Sequence, residues 1–410
     1  MNAELLCFAC AEQRERGLPV EVESVCEQCF EYLMDNVCDL ERAGGKPEIS
    51  IREEPFDGTL HEFSLPKELG KVIDIAPVNH SRQSTWLVLS DDGKIFRVNV
   101  ESGEVVQVAL SNVPAEPDAR IFHDFPLTRR LHASNSGEFV AVVNDYGRYG
   151  QIIDLRTGNV TLSLDGGAYH PNTVPFSFAF ADIRGSVVAI HRTRWNRLDL
   201  SDPATGKLLS EREQTIQQSE EQQRPEHYLD YFHGALYINA NQTRILDDGW
   251  IWHPLGVPAT WSLEPWFASN VWESEDGPTR RDVCARDYYW DQGMTWLGEH
   301  TVVIGGIGKQ DWLIVDGARI FDLTRNGEPW ARDPDKYFPL EVFQFPGPAG
   351  KFFSDGTALF SSSEAGLSRW SVEDGARTGH LDGFRCTHHH RGTSELVELK
   401  EGVLVRWQMH

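Results

Sequence analysis

Basic residues and long apolar runs are both scarce in this sequence. Lys and Arg number 38 against 62 Asp and Glu, which gives a formal net charge of −24. Phosphate backbones and anionic membranes are bound through clustered Lys and Arg, and no basic block exceeds two residues. We therefore expect neither nucleic acid nor a membrane among the partners. The longest apolar run, near Phe139–Val143, has the length of a strand and not of a membrane helix, which needs about 18 residues.

The first ten residues, "MNAELLCFAC", lack the basic and then apolar pattern of a secretory signal peptide. The sequence therefore predicts a cytoplasmic protein. Hydrophobic residues make up 40% and charged residues 24% of the chain, as in globular proteins. The length of 410 residues predicts two or three domains.

Cysteine is also infrequent, but four of the seven cysteines lie close together near the N-terminus. Cys7 and Cys10 form one Cys-x2-Cys pair, and Cys26 and Cys29 form a second pair after fifteen intervening residues. Each pair lets the backbone curl around a metal ion, and two pairs supply the tetrahedron that zinc prefers. The spacing predicts one structural Zn²⁺, because four protein ligands leave no open position. Disulfides, a redox pair and an iron–sulfur cluster remain alternatives.

The segment after the second pair, "FEYLMDNVCDLERAGG", has apolar residues at helical spacing and ends in Gly44-Gly45. A knuckle, a hairpin, and a second knuckle followed by a helix resemble the treble-clef class of zinc fingers. The resemblance predicts a small zinc-binding domain with one helix at residues 1–45. Residues 46–57 are polar and contain Pro and Gly, which predicts a linker.

From residue 58 onward, short strand-like runs alternate with Gly, Asp and Asn turns. The order strand, turn, strand, turn, strand recurs at residues 84–110, 137–164, 185–210 and 356–381. Each unit ends in a turn whose Gly supplies positive φ, as in "VESGE" and "LRTGN". Repeated four-stranded units of about 40–50 residues are typical of a β-propeller.

These units resemble divergent WD40 repeats. "NVESGEVVQVAL", "DLRTGNVTLSL" and "SVEDGARTGHL" correspond to the last turn of that repeat, and "LHASNSGEFVAVV" to the strand that enters a blade. No Trp-Asp dipeptide ends a unit, so the resemblance implies the fold and not a particular WD40 subfamily. It also implies a rigid, non-enzymatic platform for protein partners.

Counting the units predicts seven blades within residues 58–410. Six complete units lie near 70–110, 127–164, 174–212, 228–266, 293–330 and 345–383. The C-terminal segment supplies only three strands, and the isolated strand "GTLHEFSL" at 58–65 supplies the fourth. Pairing the two ends would close the ring and remove exposed sheet edges. Six or eight blades remain alternatives.

A Trp-rich insertion near 266–292 interrupts this regularity. Long insertions are commonly functional, and aromatic residues with Arg have the composition of a protein interface. We therefore identify a candidate partner-binding set in this insertion: Trp266, Trp272, Tyr288, Tyr289, Trp290, Arg280 and Arg281. The alternative is a local plug that packs on its own propeller.

Signals for an enzyme are weak. No Gly-x-Ser-x-Gly motif occurs, and His388 with His390 could share a metal only if a further ligand is near. The sequence therefore predicts a non-enzymatic scaffold or adaptor in a cytoplasmic, bacterial multi-protein system. An enzyme with a hydrolase-like site at the channel mouth is one alternative, and it would show a carboxylate-lined channel with shifted pKa values. A small-ligand or carbohydrate sensor is another.

Overall fold

The computed structural model describes residues 48–116, 127–213, 225–252, 254–308 and 314–409. In this part of the chain nearly all regular structure is β, with one short helix, α1 (Leu263–Ala268), and one 3-10 turn at Lys67–Leu69. The predicted zinc-finger domain and its four cysteine ligands lie outside the described residues.

The strands form seven sheets, which are the blades of a ring. Blades 1 to 3 contain, in chain order, β2 (Val72–Pro77), β3 (Thr85–Ser90), β4 (Lys94–Asn99) and β5 (Val105–Leu110); β6 (Thr128–Ala133), β7 (Phe139–Asp145), β8 (Tyr149–Asp154) and β9 (Asn159–Asp165); and β10 (Phe178–Ile183), β11 (Ser186–Arg194) and β12 (Arg197–Ser201). Blade 4 contains β13 (Phe232–Ile238), β14 (Arg244–Ile251), β15 (Leu255–Gly256), β16 (Ala259–Ser262), β17 (Arg281–Asp282) and β18 (Arg286–Asp287).

Blades 5 to 7 complete the ring. They contain β19 (Met294–Trp296), β20 (Thr301–Ile307), β21 (Val315–Trp330) and β22 (Asp333–Pro346); β23 (Lys351–Ser354), β24 (Ala358–Ser363), β25 (Gly366–Ser371) and β26 (Arg377–Asp382); and β27 (His388–His390), β28 (Glu395–Lys400) and β29 (Val403–Gln408) joined by β1 (Leu60–Ser64). The first strand of each blade lies innermost, as shown by the contacts of β2 with both β6 and β27, and of β19 with both β13 and β23.

The two ends of the propeller sequence are paired, as the sequence predicted. Strand β1 runs antiparallel to β29, with Leu60 opposite Trp407 and Ser64 opposite Val403. The indole N–H of Trp407 also donates to the Asp57 carbonyl at 2.6 Å. These contacts confirm the seven-bladed ring and its closure by an N-terminal strand.

Residues 50–57, part of the predicted linker 46–57, pack on blade 6. The Arg52 amide donates to the Arg377 carbonyl at 3.0 Å, and the Arg377 amide donates to the Ser50 carbonyl at 2.8 Å. Arg52 also pairs with Asp374, and Arg369 with Glu54 at 3.1 Å. This segment therefore covers the outer edge of β26, which would otherwise expose unpaired backbone groups.

The blades pack through both faces of their middle strands. In β7, Val140 and Val142 pack with Leu87 of blade 1, whereas Ala141 and Val143 pack with Phe178 of blade 3. Successive side chains of a strand point to opposite faces. The continuous apolar run "FVAVV" is therefore a strand buried between two neighbouring blades.

Blades 3 to 5 differ from the sequence-based boundaries. Blade 5 extends to Pro346 and not to residue 330, because β21 and β22 form a long hairpin with several register shifts. Its Pro, Gly and charged residues obscured the period-2 pattern. The outermost strand of blade 4, β17, has only two residues and lies inside the predicted insertion. Blade 3 has three strands, and a single bridge joins Ser201 to Leu208.

Candidate binding face

The central cavity and a group of exposed aromatic residues lie on one edge of the ring. Strands alternate in direction within a blade, so the first strand begins where the second strand ends and the third begins. We call this edge the entry face. The turns between second and third strands and the connections between blades both lie on it.

The central channel opens on the entry face as a cavity of about 690 Å³. We call this cavity the channel mouth. Its walls combine aromatic rings with ionisable groups from the first strands, the loops before them and the turns between second and third strands. The ionisable residues are Arg130, Asp145, Tyr146, Asp291, Lys351, Glu364 and Arg385, and the aromatic residues are Phe176, Phe178, Tyr237, Phe352 and Phe353.

One ion pair lines this wall and a second lies near it, and the carboxylates of both are largely buried. The Arg130 guanidinium donates to Asp145, and the Asp74 carboxylate pairs with His388 Nε2 at 3.0 Å and accepts from the Leu131 amide at 2.7 Å. Burial raises the pKa of Asp145 although Arg130 opposes it. Burial would also raise the pKa of Asp74, but the hydrogen bond and charge of His388 lower it below its ordinary value. The carboxylates of these ion pairs are therefore surrounded mainly by protein and not by water, and their pKa values shift as a result.

A hydrogen bond crosses the channel mouth between Tyr146 and Asp291. The Tyr146 hydroxyl donates to the Asp291 carboxylate, and the two residues lie 145 positions apart. Burial, followed by the charge of Asp291, raises the pKa of Tyr146. Both residues have positive φ, 57° and 56°, which costs a non-glycine residue about 1–2 kcal/mol. The two residues that form this hydrogen bond therefore both adopt the left-handed backbone conformation, which is uncommon outside glycine.

Lys351, the first residue of β23, projects a cation into the same cavity. Its side chain is accessible to water from the channel although protein atoms surround it densely. Burial, with a contribution from Arg130, lowers the pKa of Lys351 despite the carboxylates of Asp74, Asp145 and Asp291.

An exposed group of aromatic side chains lies on the entry face over blades 3 and 4. We call Tyr169, Trp195 and Trp252 the aromatic patch. Tyr169 is 48% and Trp252 40% exposed. Beneath them Phe232 stacks on Trp250 with ring centroids 4.1 Å apart and planes 9° apart. Trp195 lies 4.5 Å and Tyr169 5.9 Å from the same Phe232 ring, so the patch rests on a rigid stacked base.

Four of the seven predicted partner-binding residues hold the insertion to its own propeller. Trp266 is 1% exposed and packs against Trp261 in the core of blades 3 and 4. Arg280 donates to the Ser274 carbonyl at 3.1 Å. Trp272 stacks on His227 at 4.4 Å.

Arg281 joins the insertion to blade 5. Its guanidinium donates to the Leu323 carbonyl at 2.6 Å and to Asn326 Oδ1 at 2.9 Å. Glu273, fully buried, accepts from the Thr279 amide at 2.9 Å within the insertion. These contacts hold the segment 262–287, which we call the plug, on its own propeller, and partner binding by its residues stays a prediction.

The other three predicted residues reach the entry face. Tyr288 is 60% exposed, and its amide donates to the Pro254 carbonyl at 2.8 Å. The Tyr289 ring contacts the Arg286 guanidinium at 4.9 Å. Trp290 stacks on Trp250 at 5.0 Å and donates to the Thr173 carbonyl at 3.2 Å. Trp290 therefore adjoins the base of the aromatic patch, whose members sequence reasoning missed.

The consecutive histidines of β27 serve packing and pairing. His388 pairs with Asp74, and His390 lies edge-on against Trp86 at 5.3 Å. Among the described residues, no group of three or more His, Cys, Asp or Glu side chains could hold a metal ion. In the same part of the chain, no helix has the length and apolarity to cross a membrane.

The fold and the closed ring define the class as a seven-bladed β-propeller of WD40-like form. A solved chain described as "Crystal Structure of Mitotic Checkpoint Complex" is similar over 88% of this chain and 99% of that chain, with 12% identity and a TM-score of 0.50. At this identity the likeness shows the fold alone. No family model matches the sequence. No curated protein matches it either.

Proposed function

We propose that the protein is a non-enzymatic scaffold that binds a partner polypeptide at the aromatic patch of the entry face. The exposure of Tyr169 and Trp252 over the stacked Phe232–Trp250 base carries this proposal. Trp and Tyr are the residues that most often dominate binding energy at protein interfaces. Because the stacked base holds the Tyr169 and Trp252 side chains rigid, little conformational entropy is lost when a partner binds.

The charge of the chain indicates the character of the partner. A net charge of −24 attracts basic surfaces over several ångströms and repels acidic ones. Exposed Trp and Tyr faces also attract Lys and Arg through cation–π contacts. We therefore propose a partner segment in which basic residues flank an apolar anchor.

Affinity purification with a matched control tests this proposal. The double variant Tyr169→Ala/Trp252→Ala should lose a protein that the wild-type chain recovers from cells of its source. Tyr337→Ala, which removes a 47% exposed aromatic residue of the β21–β22 hairpin, is the control and should recover it. Equal recovery with the wild-type chain and the double variant would contradict the proposal.

The N-terminal cysteines are proposed to form a second contact element in the cytoplasm. The spacing of Cys7, Cys10, Cys26 and Cys29 supports a zinc-binding domain at residues 1–45. Elemental analysis of the full chain should find one zinc ion per chain, and Cys26→Ser should lose it. An iron–sulfur absorption band in place of zinc would favour the other metal reading.

A second candidate function is an enzyme or ligand sensor whose site is the channel mouth. The observation that favours it is a polar cavity lined by the carboxylates of Asp145 and Asp291, in which burial raises the pKa of Asp145. This candidate predicts that a small molecule binds in the channel whether or not a protein partner is bound.

A further inference from the structure

One cation of the channel mouth has no ion-pair partner among the described residues. Its lining contains three cations and three carboxylates. Arg130 pairs with Asp145, Arg385 pairs with Glu364 at 2.5 Å, and Asp291 accepts from the Tyr146 hydroxyl. Within the described residues, Lys351 has neither an ion pair nor a side-chain hydrogen bond.

The position of Lys351 makes its ammonium available to a ligand. Residue 350 contacts the loop that carries Asp291, since a Cβ built at Gly293 would lie 2.1 Å from the Gly350 carbonyl. Two loops therefore contact each other at the rim of one cavity. Lys351 directly follows the first loop, and Asp291 lies on the second. The cavity volume, about 690 Å³, falls within the range of small-molecule sites, which is about 300–1,000 Å³.

The residues around Lys351 indicate how many negative charges the ligand carries and whether the rest of it is apolar. Asp145 and Asp291 line the same cavity as Lys351, so they would repel a second negative charge on a ligand. A group with one negative charge is therefore favoured over a dianion. The lining also includes the aromatic rings of Phe176, Phe352 and Phe353, which suit an apolar body.

We infer that the channel mouth binds a monocarboxylate with an apolar body, whose carboxylate pairs with the Lys351 ammonium while its body contacts the aromatic wall. This inference is independent of the protein-interaction scaffold proposed above. The double variant Tyr169→Ala/Trp252→Ala should bind the carboxylate normally, so failure of one proposal leaves the other intact.

Calorimetric titration of the full chain tests the inference with four probes. We expect 3-phenylpropionate and benzoate to bind with a stoichiometry of one. Benzamide, which has the same body without the charge, should bind at least about tenfold more weakly, because a charge-assisted hydrogen bond is lost. Inorganic phosphate should also bind more weakly. Equal affinity for benzoate and benzamide, or no binding at millimolar concentrations, would overturn the inference.

Substitution of single lysines tests whether the Lys351 ammonium is the group that binds the carboxylate. Lys351→Met keeps the length of the side chain and should weaken 3-phenylpropionate binding at least about tenfold. Lys336→Met, at a lysine whose side chain is 73% exposed, should not change it. Unchanged binding by Lys351→Met, with a melting temperature near that of the wild type, would contradict the assignment.

Chemical labelling gives a readout that a structural role would not move. Reductive methylation of Lys351, followed by mass spectrometry, should slow when 3-phenylpropionate is present, whereas methylation of Lys336 should not. N-acetyl-glycyl-phenylalanine and its C-terminal amide identify the source of the carboxylate. Tighter binding of that acid than of 3-phenylpropionate assigns a peptide chain end, and weaker binding assigns a free small molecule. Equal protection of both lysines would refute the site.

Discussion

At the scale of single residues, His233 and Asp247 form a hydrogen bond completely removed from solvent. Both side chains are 0% exposed, and His233 Nδ1 lies 2.6 Å from Asp247 Oδ2. Asp247 Oδ1 also accepts from the Gly234 amide at 2.9 Å. One carboxylate therefore satisfies two buried donors that hold the innermost strand of blade 4 to its neighbour.

Removing this carboxylate should be costly. We expect Asp247→Ala to lower the free energy of unfolding by about 3 kcal/mol, because two buried donors lose their acceptor. Asp247→Asn retains one acceptor and should cost less. Urea unfolding measures both variants. Asp382→Ala, at a side chain that is 98% exposed, is the control, and a similar small effect of all three substitutions would disprove the explanation.

The next residue, Asp248, differs from Asp247 because its charge is poorly compensated. Its Oδ1 lies 3.8 Å from Arg286 Nη2 and has no hydrogen-bond partner among the described residues. Burial, opposed by Arg286, raises the pKa of Asp248 to about 7. Above its ordinary pKa of 3.8 the unfolded chain releases this proton while the folded chain keeps it, so ionisation favours the unfolded state.

The stability of the protein should therefore fall with pH because of Asp248. Between pH 4 and 7, the free energy of unfolding of the wild type relative to Asp248→Asn should fall by about 1 kcal/mol per pH unit. Above pH 7 the difference should become constant. Urea unfolding at several pH values gives both curves, and parallel curves across this range would argue against a raised pKa.

At the scale of elements, the β21–β22 hairpin extends beyond blade 5 toward blade 4. Trp330 packs partly against the core of blades 3 and 4, and its ring lies 4.7 Å from that of Phe338. Arg332 donates to the Trp252 carbonyl at 3.3 Å. The principal polar anchor is Arg281, which reaches the Leu323 carbonyl and Asn326. The hairpin thus depends on a residue of the plug.

Loss of this anchor should loosen the hairpin more than the propeller. We expect Arg281→Ala to increase hydrogen–deuterium exchange in residues 323–338 while the global free energy of unfolding changes by about 1 kcal/mol or less. Arg325→Ala removes an exposed Arg of the same hairpin and should leave exchange unchanged. Unaltered exchange in Arg281→Ala would mean that apolar packing alone holds the hairpin.

The sequence could predict the repeated elements because each blade carries its own local signal. The turn glycines Gly103, Gly158, Gly206 and Gly375 all have φ near 70°, as their turns require. The signal failed for β17, whose two residues show no periodicity, and for β22, where Pro and charged residues interrupt it. Local chemistry predicted the blades, whereas tertiary packing determined these two strands.

The functional residues were harder to predict than the blades. Trp266 is of a residue type common at interfaces but is buried. Residue type alone cannot distinguish an interface Trp from a core Trp. Aligning the blades would have placed "GAYHPN", "TRWN" and "WIWHP" in turns or connections on one edge, which is a signal for the aromatic patch. Nothing local marks Lys351, because its significance depends on the charges of three other blades.

At the scale of the whole molecule, stability depends on closure by β1. Without this strand, β29 would expose a full edge of backbone donors and acceptors. The closing strand also brings Phe56 against Trp407, with ring centroids 5.2 Å apart. The ring therefore requires the residues at both ends of the propeller sequence.

Deleting residues 1–64 should open the ring. We expect a large fall in melting temperature, and dimers or larger species formed through the free edge of β29, in contrast to deletion of residues 1–47, which retains β1. Thermal unfolding and light scattering after size-exclusion chromatography measure the two effects. A monomeric protein with an unchanged melting temperature after the longer deletion would show that blade 7 is stable with three strands.

The hydrogen bond between Tyr146 and Asp291 has a consequence for the order of folding. The two residues are 145 positions apart, and contacts of such separation form late because the intervening chain must first be ordered. The channel mouth also takes residues from blades 2 to 7, so it is not complete until blade 7 has been synthesised. A ligand held there would bind only the completed ring and would stabilise it by mass action. Occupancy of this cavity would therefore report that a chain had been synthesised and folded through blade 7.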